Sequence, residues 1–170
     1  ATTEIYTLSL HDAIPIFDRS WHEAMKVAVK TMRVQQRKDG PGPYHFQRTS
    51  KVSTEMLPNE GFGAPVKALG MIASGFRPSD DACTFPFLVP SNLFAVTSLG
   101  HLAEMSHAVL HDEDLANEAT SLAGEVRTAL RQYGVAQTAE GSIWAYEVDG
   151  YGSRLLMDDA NVPGLLGLPY

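Results

Sequence analysis

MIASGFRPSDDACTFPFL, residues 71–88, is the stretch of this sequence that decides how the rest is interpreted. It places Arg77 close to two adjacent carboxylates, Asp80 and Asp81, in a segment rich in Gly, Ser and Pro. This composition is typical of a loop. A guanidinium group can hold a carboxylate, and a carboxyl group in a pocket can give a proton to a bound molecule. We therefore expect a functional loop here, with Ser79 as a further hydrogen-bonding group.

A second acidic loop follows far downstream, at residues 146–163, which read YEVDGYGSRLLMDDANVP. It supplies four further polar candidates: Asp149, Asp158, Asp159 and Asn161. Two loops with carboxylates and aromatic residues are what a sugar-cleaving pocket requires. One acid must protonate the leaving oxygen, while other groups hold the hydroxyls of the sugar. We expect the two loops to converge on one side of the molecule, because pockets are commonly assembled from separate loops.

Each acidic group also has a structural interpretation. The pair after Pro78 fits ordinary turn chemistry, and so does the aspartate before Gly150. The pair at 158–159 is compatible with the first turn of a helix, where the dipole favours negative charge. Within the first loop, a neighbouring carboxylate would raise the pKa of an acid, whereas the arginine would lower it. The residues alone leave both interpretations open.

Five segments of the chain occur in an order that carries a resemblance. They are YHFQR at 44–48, NEGFGAPVKALG at 59–70, SGFRPSDDAC at 74–83, VDGYG at 148–152 and LMDDANVPGLLGLPY at 156–170. Together they resemble glycoside hydrolase family 125, and the similarity runs from about Trp21 to Tyr170. The resemblance implies an inverting exo-α-1,6-mannosidase on an (α/α)6 barrel, acting on mannose-containing oligosaccharides and needing no metal or other cofactor.

The resemblance also implies roles for individual residues. The general acid would be Asp80 or Asp81, and the sequence does not distinguish them. The substrate-binding groups would be Arg77, Ser79, Asp149, Asp158, Asp159 and Asn161. In the family the general base is a glutamate in the C-terminal part, and we expect it to lie beyond residue 170. The chain would then be an inactive fragment of a longer enzyme.

Two other classes of function remain open. One is another (α/α)6 glycosidase, trehalase-like or glucoamylase-like, which would use loop carboxylates on a different sugar. The other is a non-catalytic helical module that binds sugars without hydrolysing them. The products formed from α-linked disaccharides would separate these classes.

The first sixteen residues, ATTEIYTLSLHDAIPI, differ in character from the rest. They resemble the in-frame translation of a sequencing adapter, with Ile14 as the single departure. We expect residues 1–16 to be an artefactual extension and residues 17–170 to be a fragment of one glycosidase domain. We also expect the extension to pack poorly against the domain.

Periodicity and capping signals predict a mainly α fold: a partial (α/α)6 barrel with long loops and a short β-hairpin. Ser20 and Glu23 fit a capping box, which predicts a helix to about Arg37. A helix that is apolar on nearly all sides is predicted at 91–111 and an amphipathic one at 113–133, capped by Asp112 and ended by Gly134. Less regular segments predict a short strand at 44–48, a hairpin of 143–148 with 153–157, and a helix at 158–168.

Composition excludes several classes of partner. The net charge of −7 without a basic cluster argues against nucleic-acid binding. No apolar run approaches the roughly 20 residues that a membrane helix needs. No secretory signal is recognisable, so we expect a cytoplasmic protein. His107 and His111 lie four apart on a predicted helix but lack the HExxH pattern, and Cys83 has no adjacent histidine. We therefore expect no metal site and a structural role for the single cysteine.

Overall fold

Helices make up most of the regular structure. The computed structural model describes residues 17–167. Its long helices are α1 (Arg19–Gln35), α2 (Val89–Met105) and α3 (Glu113–Tyr133). A π-helical turn, Ser106–Leu110, prolongs α2, and short 3-10 turns occur at Ser53–Glu55 and Leu165–Gly167. The mainly α prediction is confirmed at this level.

Five short strands form two small sheets within the described residues: β1 (Phe87–Leu88), β2 (Val135–Thr138), β3 (Gly141–Trp144), β4 (Glu147–Val148) and β5 (Arg154–Leu155). β2 and β3 form a hairpin, while β4 lies between β1 and β5, antiparallel to both. In this register Leu88 lies opposite Glu147. Since β1 ends the first acidic loop and β4 begins the second, the pairing brings the two loops together.

The core lies mainly between α2 and α3. Leu99 and Leu102 of α2 are buried against the apolar stripe of α3, which includes Leu122 and Val126. The stripe repeats at three- and four-residue spacing, so that one face of α3 is buried and the other is charged. Each buried leucine or valine stabilises the fold by about 1.5–3 kcal/mol relative to exposure. The α2–α3 pair is therefore the scaffold on which the loops rest.

Helix α2 is apolar on nearly all sides, as predicted, but the N-terminal half is not buried on all of them. Phe94 is 61% exposed, and Leu93 and Val96 are only partly buried. No element of the described chain covers this face. Helix α2 thus carries more apolar side chains than the described parts of the chain bury.

The helix caps correct one prediction and confirm another. Helix α1 begins one residue after Asp18, whose carboxylate accepts a hydrogen bond from the Trp21 N–H at 2.8 Å. Ser20 is therefore inside the first turn and does not form the predicted capping box. At α3 the prediction is confirmed, because Asp112 accepts from the Leu115 N–H at 2.9 Å and Gly134 is the C-terminal cap.

Three less regular segments differ from their predictions. Residues 44–48 form no strand, because Phe46 makes only one backbone contact, to Gly61. The strand predicted at 143–148 is interrupted at Ala145 and Tyr146, so that only its second half, β4, forms the predicted hairpin with the return strand, β5. Residues 158–167 form bends and a 3-10 turn instead of a long helix.

Two predictions concern the chain ends and membranes. Residues 1–16, predicted to be an artefactual extension, lie outside the described residues, as do 168–170. Across residues 17–167, no helix combines the length and the apolar character that crossing a bilayer requires.

Asp112 gives a test of how α1 and α3 are held together. Its second carboxylate oxygen lies 2.8 Å from His22 Nε2 and 3.0 Å from Lys26 Nζ. The pKa of Asp112 is lowered to about 2, first by the Leu115 N–H and then by Lys26. We expect Asp112→Asn to keep the cap and lose the ion pairs, and Asp112→Ala to lose both, with the cap worth about 1 kcal/mol.

Urea unfolding of the chain across pH would measure this. Because the folded-state pKa lies below the ordinary 3.8, the carboxylate stabilises the fold above that pH. The advantage over Asp112→Asn should shrink as the pH falls from 3.8 towards 2. Equal stability of the Asn and Ala variants would contradict the capping role.

Candidate active site

The first acidic loop is anchored by a buried ion pair. Arg77 Nε donates a hydrogen bond to Glu147 Oε1 at 2.6 Å. The other carboxylate oxygen, Oε2, accepts from the backbone N–H groups of Thr84 and Phe85, both at 2.9 Å. Glu147 has no exposed surface, and Arg77 also reaches the Thr84 hydroxyl at 3.2 Å. The arginine thus clamps a carboxylate as predicted, and that carboxylate comes from β4.

The charges of this pair affect their neighbours. The hydrogen bond that Arg77 donates to Glu147 raises the pKa of Arg77 above its ordinary value. Burial, together with the charge of Glu147, raises the pKa of the Cys83 thiol to about 12. The thiol therefore stays protonated at neutral pH, and thiols in that form are poor nucleophiles. Its burial agrees with the predicted structural role.

The acidic pair lies in a tight turn closed by backbone hydrogen bonds. Arg77 N–H donates to the Asp81 carbonyl at 2.8 Å, and Asp80 N–H donates to the Arg77 carbonyl at 3.0 Å. Asp80 has φ of 68°, in the left-handed region that aspartate tolerates better than most residues. Asp80 is exposed and Asp81 half-buried, and neither carboxylate forms a side-chain hydrogen bond within residues 17–167. Both can therefore meet a ligand.

Asp159 lies where the two loops meet. The Ser79 hydroxyl is the largest cause lowering the pKa of Asp159 to about 2, followed by the Asn161 N–H. Asn161 donates from both its backbone and its side-chain amide to Asp159 Oδ1 at 2.9 Å. Tyr146 is fully buried beside this group, and its hydroxyl lacks a hydrogen-bond partner among the described residues. Burial, and then the charge of Asp159, raises the pKa of Tyr146.

Asp149 serves the turn after β4. Its Oδ1 accepts hydrogen bonds from the N–H groups of Tyr151, Gly152 and Ser153, at 2.8, 3.1 and 3.0 Å. Burial favours a higher pKa for Asp149, but hydrogen bonds led by the Ser153 side chain hold it below its ordinary value. The observed contacts are those of the structural interpretation, and a sugar-binding role stays a prediction.

Asp158 also has backbone partners. Its two oxygens accept from the N–H groups of Leu165 and Leu166 at 2.7 and 2.9 Å. The carboxylate thereby holds the 3-10 turn that follows. Of the second loop's candidates, Asp159 lies near the Ser79 hydroxyl and Asn161 is bonded to Asp159, while Asp149 and Asp158 are occupied by their own loop.

One cavity differs in character from this acidic cluster. It is an apolar groove of about 1000 Å³ beside the exposed half of α2. Leu93, Phe94, Leu130, Trp144 and Pro163 contribute to its walls, and none of the described residues that line it carries a carboxylate. The groove therefore lacks the groups for acid–base chemistry. The reactive candidates lie at the loop junction instead.

No metal site is evident in the part of the chain that the structure covers. No group of three or more His, Cys, Asp or Glu side chains in residues 17–167 is arranged to hold an ion. His107 instead lies 2.6 Å from Glu113, a contact between the π-helical turn and the first turn of α3. The absence of a metal from this protein stays a prediction from the sequence.

Comparison with known proteins gives the family. The model of glycoside hydrolase family 125, described as metal-independent α-mannosidases, matches residues 3–170. The chain belongs to glycoside hydrolase family 125. A structure of a metal-independent α-mannosidase from Streptococcus pneumoniae, in a non-productive complex with α-1,6-mannobiose, is 37% identical and superposes with a TM-score of 0.87.

A curated relative extends the comparison. The meiotically up-regulated gene 157 protein of Schizosaccharomyces pombe is 45% identical over 129 residues, which are 75% of this chain. This chain spans 25% of that relative's length. In the Streptococcus comparison, 91% of this chain matches 37% of the solved one. This chain thus spans between about a quarter and somewhat more than a third of the length of these proteins.

Two residues at the junction of the loops were not among the predicted site residues. Glu147 and Tyr146 end the predicted strand at 143–148 and begin the second acidic loop, and neither position by itself indicates a contact with the first loop. The available signal was a charged residue in an otherwise apolar segment, because such a residue needs a partner when buried. Nothing in the segment, however, indicates which arginine of the chain Glu147 contacts.

The turn held by Asp149 gives a second test. Asp149→Ala would leave three backbone N–H groups without their acceptor, whereas Asp149→Asn keeps an oxygen in the same place. We expect the Ala variant to lose about 2 kcal/mol of unfolding free energy, because unsatisfied donors are costly. The Asn variant should lose less. Guanidinium unfolding of the chain measures both, and an Ala variant as stable as the natural protein would disprove the turn-holding role.

Proposed function

We propose that this chain is part of an inverting exo-α-1,6-mannosidase that removes terminal α-1,6-linked mannose from oligosaccharides. The observation that carries the proposal is the similarity to the Streptococcus α-mannosidase, which was solved with α-1,6-mannobiose. The match to the family model over residues 3–170 supports it. On this proposal α1, α2 and α3 would form part of an (α/α)6 barrel, and the groove beside Phe94 would face its other helices.

The general acid of the proposed reaction is Asp80 or Asp81. Support comes from their position on an anchored turn, with carboxylates that no described side chain or backbone group occupies. The acid would protonate the glycosidic oxygen as the bond to the leaving sugar breaks. Ser79, Asp159 and Asn161, which meet beside that turn, would accept or donate hydrogen bonds to mannose hydroxyls.

The general base lies outside this chain on our proposal. An inverting enzyme needs a second carboxylate roughly 6.5–9.5 Å from the acid, with room for water between them. Glu147 is a buried glutamate that contacts residues on both sides of the acidic turn. Both of its oxygens, however, already accept hydrogen bonds from Arg77, Thr84 and Phe85. It is therefore unsuited to activate water. A glutamate after residue 170 would take the role.

The activity prediction compares this chain with the longer protein that contains it. The longer protein should hydrolyse α-1,6-mannobiose and release mannose with inverted configuration, as followed by proton NMR. This chain alone should not, because it lacks a base. Replacing the true acid by Asn should lower kcat by roughly 10²–10⁴-fold with little change in KM, because Asn keeps the shape but cannot give a proton.

The matched controls are Asp80→Asn, Asp81→Asn and Asp39→Asn, the last in a turn outside both acidic loops. Asp39→Asn should behave like the natural protein. Full activity of both loop variants would remove these residues from the acid role. Turnover by this chain alone would place the base within it. Hydrolysis of trehalose or maltose in preference to mannobiose would favour another glycosidase class, and binding without hydrolysis would favour a sugar-binding module.

A further inference from the structure

The carboxylate of Glu147 joins the two ends of the acidic turn. Arg77 precedes the turn and reaches one oxygen, while Thr84 and Phe85 follow the turn and reach the other. The glutamate itself lies on β4, the central strand, which is paired with β1 on one side and β5 on the other. Both ends of the loop are therefore tied to one rigid point of the sheet.

The Arg77–Glu147 ion pair is better explained by the loop geometry that it fixes than by any free energy of unfolding that it contributes. Burying two charges costs several kcal/mol each, and the attraction between them often does no more than offset that cost. A buried contact between a guanidinium group and a carboxylate fixes the orientation of both side chains, because the planar guanidinium has a preferred hydrogen-bonding geometry. The Arg77 guanidinium also lies over the Tyr146 ring at 5.8 Å, which restricts it further.

We propose that Glu147, acting through Arg77 and the Thr84–Phe85 backbone, is a positioning residue that holds the Ser79–Asp81 turn where its acid can transfer a proton. The inference rests on the proposed mannosidase function, because it assumes that this turn carries the acid. Proton transfer is sensitive to such placement: an error of about 1 Å can cost roughly 10²-fold in rate. Glu147 itself touches neither substrate nor reacting atoms in this role.

The first test uses Cys83, the single cysteine, as a reporter of loop opening. The thiol is buried between the two ends of the turn, beside Glu147 and Arg77. In Glu147→Gln, one amide group cannot accept from both Arg77 and the backbone donors. In Arg77→Met, the side-chain donor is absent. We expect Cys83 to react with the uncharged reagent 4,4′-dithiodipyridine at least about tenfold faster in both variants, with weak urea dependence, as local opening requires.

The two variants exclude a purely electrostatic explanation. The charge of Glu147 raises the pKa of Cys83 and that of Arg77 lowers it. Removing the glutamate charge therefore favours the reactive thiolate, whereas removing the arginine disfavours it. A faster reaction in both must reflect exposure of the thiol. Arg154→Met, an exposed arginine on β5, is the matched control and should react like the natural protein.

The second test separates positioning of the acid from general damage. In the longer protein, Glu147→Gln and Arg77→Met should lower kcat on α-1,6-mannobiose by about 10²-fold with little change in KM. On 2,4-dinitrophenyl α-mannoside the loss should be below about threefold, because that leaving group departs without protonation. The double variant should be no worse than the poorer single variant, since the two residues form one device.

The outcomes distinguish the two proposals. Unchanged Cys83 reactivity in both variants, or equal losses on the two substrates, would overturn the positioning role. A longer protein that cleaves no α-1,6-mannoside would overturn the proposed function and the positioning of an acid with it. Faster Cys83 reaction in that case would show that the anchoring of the loop is correct while the chemistry assigned to it is wrong.

Discussion

The contact between Glu147 and the loop that carries Arg77 is the constraint on which the acidic cluster depends. The loop from residue 71 to 86 contains no helix and no strand longer than a single bridge, so only a few backbone hydrogen bonds of its own hold its shape. A single carboxylate with no exposed surface accepts the arginine from one end of the turn and two N–H groups from the other. An unpaired charge in that place would be costly, so the loop has few alternatives once β4 is in position.

Helix α2 affects the site because the residues at its N-terminal end contact both sides of the first acidic loop. Helix α2 begins directly after β1, and the Val89 N–H donates to the Tyr146 carbonyl at 2.8 Å. Asn92, buried in the first turns of α2, bonds the backbone of Ile72 in both directions. The start of α2 thereby fixes both margins of the first acidic loop. Met71 and Ala73 of the loop are buried in the core that α2 and α3 form.

The carboxylates of the two loops have separate tasks. Asp149 and Asp158 each satisfy backbone N–H groups of the segment that follows them, and Glu147 serves the opposite loop. Asp80 and Asp81 have no such partners within residues 17–167. Asp159 lies between these cases, because Asn161 donates hydrogen bonds to it and the Ser79 hydroxyl lowers its pKa. Residues of the same type in one cluster thus differ in whether a ligand could reach them.

Local signals in the sequence determined the features that depend on neighbouring residues. The bounds of α3 follow from a continuous apolar stripe with Asp112 and Gly134 at its ends, and family membership follows from motifs that keep their order. The sequence predicted Ser20 as the N-terminal cap of α1, whereas in the structure Asp18 has that role and Ser20 lies in the first turn. The interruption of the strand at Tyr146 depended on which partner strand each half could reach. Arg77 and Glu147 are 70 positions apart, and nothing in either local segment selects the other. Only the tertiary structure could pair them, because each buried charge needs a partner of opposite charge and the fold brings these two together.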